Sequence, residues 1–165
     1  MKTNLVNLFE KVQKIYYKVC KFEKDKIDEN LSYGDCRHKS ELLFKLLQKE
    51  GYQVKKVKAI FDWKDLPLPK KLLSILQRNS IWDHDTLLVN VDGKWIMVDC
   101  TWNPELQKIG FPVTINWDGK SDTKQLTNGK IEFFDAENYV KKFKIEREIA
   151  LKFADGLNKW LSSQQ

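Results

Sequence analysis

Three residue types that together perform thiol chemistry stand at separate points of this sequence: a cysteine, a histidine and an aspartate. Cys36 follows Gly34-Asp35 in "LSYGDCRHKSELLFKLLQKEGY", where a helical apolar pattern begins. His84 opens the alternating run "HDTLLVNV" and is flanked by Asp83 and Asp85, while Asp99 lies near the end of "KWIMVDC". The thiolate is the attacking form of cysteine, and the positive end of a helix dipole favours that anion. A neighbouring imidazole completes the activation. A carboxylate on its far nitrogen fixes the tautomer and supports the imidazolium. The Cys36 N–H, which has no intrahelical acceptor in the first turn, can donate to an oxyanion. The chemistry implied is acyl transfer through a covalent acyl-enzyme.

Each of these groups needs an element to hold it. The spacing of Leu43 and Leu47 places Cys36 and Ser40 on one buried stripe of a helix running from about Cys36 to Glu50, with Gly51 as its stop. Asp35 supplies the N-cap acceptor, and Gly34 the tight turn before it. Asp92-Gly93 between two alternating apolar runs is the signature of a β-hairpin. With a two-residue turn, Val91 opposes Lys94, Leu88 opposes Met97 and Thr86 opposes Asp99. His84 and Asp99 then share a face as diagonal neighbours across the ladder, roughly 7–8 Å between backbones, a gap that side chains span. A three-residue turn would send them to opposite faces. Leu87, Val89, Val91, Ile96 and Val98 read as the core side of the hairpin, and Cys100 points away from Asp99 and into the interior.

The remaining chain reads as support. Helical spacing predicts a helix over Asn4 to Phe22, and "EKDKIDEN" is a charged connector. Alternation predicts a strand in "YQVKKVKAIFDW", followed by a loop and a short helix over Leu72 and Leu76. Residues 101–130 are irregular, with one strand expected around Val113 to Trp117. A helical pattern broken near Lys144 is expected from Asp135 to Ser162. No repeat or second domain is evident, so residues 1–165 are expected to form one domain.

Composition narrows the partners. The net charge of +6 comes from scattered lysines, and arginine occurs only as Arg37, Arg78 and Arg147. Nucleic-acid sites cluster arginine forks with aromatic platforms, so no nucleic-acid partner is expected. No apolar run spans a bilayer and the N-terminus is too charged for a signal peptide, so no membrane partner and a cytoplasmic location are expected. Cys20, Cys36 and Cys100 are an odd set without paired spacing, which fits reduced thiols; Cys20 and Cys100 are expected to be structural.

Taken together, "YGDCRHKSELLFKLLQKEGYQVKKVKAIF" and "DHDTLLVNVDGKWIMVDCTW" resemble the core of the transglutaminase-like superfamily, a branch of papain-like cysteine enzymes, over Gly34 to Trp102. The resemblance implies Cys36 as nucleophile, His84 as base and Asp99 as orienting acid. It also implies an α+β, papain-like fold with the cysteine helix lying across an antiparallel sheet, helical segments at both ends, and no cofactor. Two positions depart from the family pattern: Thr86 stands where an aromatic residue is common, and Cys100 where a proline is common. The implied activity is that of a cysteine protease, amidase or transglutaminase acting on a peptide or protein amide. One alternative is an inactive domain that binds a peptide or partner protein in the same groove. Another is a metal site built from Cys36, His38 and His84. Trp63, Trp82, Trp95 and Trp102 lie near these residues in sequence; Trp82 and Trp102 are candidates for substrate contact, against the plainer reading of core packing.

Overall fold

The computed structural model describes residues 4–21 and 23–164. The order is α1 (Leu5–Gln13), β1 (Tyr16–Tyr17), β2 (Tyr33–Gly34), α2 (Cys36–Lys49), β3 (Val54–Asp62), α3 (Lys70–Ser74), β4 (Ile81–Val91), β5 (Lys94–Val98), β6 (Glu132–Asp135) and α4 (Arg147–Ser163), with three short 3₁₀ segments between them. The architecture is α+β. Strands β5, β4, β3 and β6 form one antiparallel sheet in that order, and β1 and β2 pair in parallel beside it.

The hairpin has the anticipated register. Asp92 and Gly93 both take positive φ, 51° and 88°, and Val91 pairs with Lys94 and Leu88 with Met97. Positive φ at both central positions gives the turn whose twist matches that of the flanking strands. Leu87, Val89, Ile96 and Val98 then pack with Leu42, Leu43, Leu46 and Leu47 of α2 and with Leu5, Leu8, Phe9 and Val12 of α1. A second apolar cluster joins Phe61 and Trp63 to the loop residues Trp102, Leu106 and Phe111 and to Phe153, Leu157 and Leu161 of α4.

Four expectations are corrected. The first helix stops at Gln13, well short of Phe22, which itself lies outside the described residues. The chain turns there because the Lys39 ammonium binds the carbonyls of Gln13 and Ile15, and Tyr16-Tyr17 pairs with Tyr33-Gly34. Val113 to Trp117 is not a strand. Asn116 has φ 52°, the Thr114 carbonyl accepts from Gln13, and Phe111, Val113 and Trp117 are buried by loop packing. Residues 135–146 are not helical: the Ala136 N–H donates to the Lys56 carbonyl and so extends the pairing of β6 with β3, and the helix begins only at Arg147. Gly34 is not a turn residue but part of β2; a Cβ there would lie 2.8 Å from the Cβ of His38, so glycine is needed for close approach.

Candidate active site

The N-terminus of α2 is built from consecutive residues. The Asp35 carboxylate accepts from the Arg37 N–H at 3.0 Å, and the Asp35 N–H donates to His38 Nδ1 at 3.1 Å, closing a reciprocal cap. The Arg37 guanidinium forks the same carboxylate at 2.9 and 2.6 Å and reaches the Cys20 carbonyl at 2.7 Å. Burial opposes ionisation of Asp35, but the Arg37 guanidinium, bonded to both carboxylate oxygens, holds the carboxyl well below the usual range. The result is a rigid first turn that presents Cys36, half-buried, to a cleft shared with His84.

On the hairpin, His84 Nε2 donates to Asp99 Oδ2 at 2.6 Å, with His84 2% and Asp99 7% exposed. The other Asp99 oxygen accepts the Thr101 N–H at 3.0 Å, and the Asp99 N–H donates to Thr123 Oγ1 at 2.8 Å. Asp99 is therefore fixed from three directions. Because Asp99 takes Nε2, Nδ1 is the nitrogen left for the thiol. Burial alone would lower the His84 pKa; the charges of Asp99 and Cys36, and hydrogen bonds to both, carry it up to about 10. Burial likewise pushes Asp99 up, but the His84 charge brings it net below the ordinary carboxylate range. The pair is thus held as imidazolium and carboxylate at neutral pH. His84 and Asp99 share a face of the hairpin, as the register anticipated, and Cys36 lines the same cleft as His84.

Lys39, one turn beyond Cys36, is fully buried and escaped notice in the sequence. Its ammonium donates to the carbonyls of Gln13 at 3.0 Å, Ile15 at 2.7 Å and Thr101 at 2.7 Å. Burial pulls its pKa down to about 8, against the pull of Cys100 and Asp99, so it is charged at neutral pH. Since Thr101 holds Asp99, Lys39 ties the carboxylate loop to the helix that carries the thiol. A lysine one turn before Leu43 on the apolar stripe was the signal that could have revealed it.

The other candidates separate. His38 is fully buried and lies with its Nδ1 3.7 Å from the Cys20 thiol. Cys20, expected to be structural, thus has an imidazole neighbour. Cys20, Asp35 and His38 offer metal-ligand atoms within 4.8 Å of one another, a different trio from Cys36, His38 and His84. The Arg37 fork already occupies Asp35 and the Asp35 N–H occupies Nδ1, which is poor preparation for a cation. Cys100 is buried as expected, and burial pushes its thiol up to about 12.

Trp82 lines the cleft, but Trp102 does not. Trp102 is 3% exposed, meets Tyr17 at a tilt and Phe111 edge-on, and its Nε1 donates to the Leu126 carbonyl, so it is core. The cleft has a volume of about 620 Å³. Its wall includes α4, a contribution that the sequence pattern did not reveal. No helix among the described residues is long and apolar enough to cross a membrane.

No family model, curated protein or solved structure matches this chain.

Proposed function

We propose that the chain is a transglutaminase-like cysteine enzyme that transfers the acyl group of a peptide or protein amide. The observation that carries this reading is the 2.6 Å bond from His84 Nε2 to buried Asp99, with the ring's other nitrogen left for Cys36. In the proposed cycle the Cys36 sulfur attacks the amide carbonyl, and the carbonyl oxygen takes up the negative charge beside the helix N-terminus. His84 passes its proton to the leaving amine as the C–N bond breaks. Water, or a second amine, then attacks the thioester, His84 takes its proton, and the Cys36 thiolate departs. Asp99 holds the ring throughout. Hydrolysis is the favoured outcome because water needs no second binding site.

The test uses iodoacetamide on the folded protein at neutral pH. Cys36 should be labelled well before Cys20 and buried Cys100, because an ordinary thiol, with a pKa of about 8.5, is mostly protonated there. Equal labelling of all three would defeat the proposal.

A further inference from the structure

Helix α4 carries two stripes. Ile149, Phe153, Leu157 and Leu161 are buried in the core. Arg147, Ala150, Leu151, Ala154, Asp155 and Asn158 recur at the same helical spacing and line the cleft that holds Cys36 and His84. At about 100° per residue the two stripes lie roughly a third of a turn apart. The second stripe therefore does not serve the core. Its middle is apolar and shallow, with two alanines one turn apart and a leucine that is 42% exposed. Trp82 and Trp63 also border this cleft, and the Trp63 indole N–H has no acceptor among the described residues.

The ends of the stripe are anchored. Asn158 exchanges two hydrogen bonds, both 2.9 Å, with the backbone of Val19, next to Cys20. At the other end the Glu146 N–H donates to Asn79 at 3.1 Å. The rise from residue 147 to residue 158 is roughly 16 Å, the length of about four or five extended residues. Charge differs along this length. Arg37, Lys58 and Lys141 each pair with an aspartate, Asp35, Asp85 and Asp83. Arg147 and Lys21 also border the cleft and form no ion pair among the described residues, whereas Asp155 on the same stripe pairs with Lys159.

We infer that the cleft takes an extended acidic peptide of about four or five residues, seating one large apolar side chain on Ala150, Leu151 and Ala154 beside Trp82, with a carboxylate at Arg147. The inference deepens the acyl-transfer reading and rests on it for its chemistry, but the binding step does not require the thiol.

The experiment measures binding of N-acetylated, amidated pentapeptides to full-length Cys36→Ala by calorimetry. The peptides are Asp-Ala-Leu-Ala-Ala, its reversed sequence, and versions with alanine for leucine or lysine for aspartate. The tighter leucine peptide should bind about tenfold or more tightly than its alanine version, the scale expected for an apolar pocket. Adding Leu151→Glu or Ala154→Phe should abolish that preference, and adding Arg147→Glu should abolish the preference for aspartate over lysine. Leu151 is exposed, so its variant spares the core. Absent binding, or equal binding of the leucine and alanine peptides, overturns the inference; so does indifference to aspartate against lysine. Iodoacetamide labelling of the parent separates the two readings. An inert Cys36 with peptide binding retained removes acyl transfer and leaves the cleft assignment standing. A reactive Cys36 without peptide binding does the reverse.

Discussion

At the scale of single residues, Lys39 shows how a buried charge can be structural and still serve a site. Three carbonyls converge on its ammonium, and one belongs to Thr101, whose N–H holds Asp99. Lys39→Met keeps the chain length but leaves those carbonyls unpaired in the interior. The expected loss is about 2–4 kcal/mol of unfolding free energy, measured by urea denaturation. Cys36 alkylation should slow in the same variant, because the Asp99 loop loses its tie to α2. Unchanged stability would mean that water or another donor replaces the ammonium. His38 calls for a parallel revision. Its spacing from Cys36 suggests a bystander, whereas the structure makes it part of the cap, so His38→Ala should cost stability while leaving the His84–Asp99 bond in place.

At the scale of elements, the hairpin was legible and the cap only partly so. Asp92-Gly93 specifies the turn, and the turn specifies which face His84 and Asp99 share, so local sequence sufficed. Gly34 reads as a turn residue because a glycine before an N-cap ordinarily signals one, and its contact with His38 arises only once β2 packs on α2. Gly34→Ala should cost about 1–3 kcal/mol, since the neighbouring side chain is itself buried and cannot yield freely. Thermal melting reads that loss; a wild-type midpoint would show that the strand shifts without penalty. The absent strand at Val113 to Trp117 and the absent helix before Lys144 share a cause. In both segments backbone groups are taken by distant partners, Gln13 in one case and Lys56 in the other, which local periodicity cannot show.

At the scale of the whole molecule, two apolar clusters form the interior, and α4 lines the cleft that holds Cys36 and His84. The buried pair links this site to global stability. His84 is raised to about 10, so its contribution is complete below about 6.5, the ordinary histidine value, and is lost as pH rises through about 10. Asp99 is lowered, so its contribution is present above the ordinary carboxylate value of about 4 and is lost as pH falls. Urea denaturation from pH 6.5 to 10 should show a decline in the parent that is smaller in His84→Ala. Identical slopes would mean that the pair is not charged in the fold. The most direct test of the central claim is the rate of Cys36 alkylation by iodoacetamide against pH in the parent, His84→Ala and Asp99→Asn. If the imidazolium sustains a thiolate, His84→Ala should slow alkylation more at pH 6 than at pH 9, where an ordinary thiol is already largely ionised, and Asp99→Asn should show a weaker form of the same change. A pH profile in His84→Ala that overlays the parent's would contradict the account.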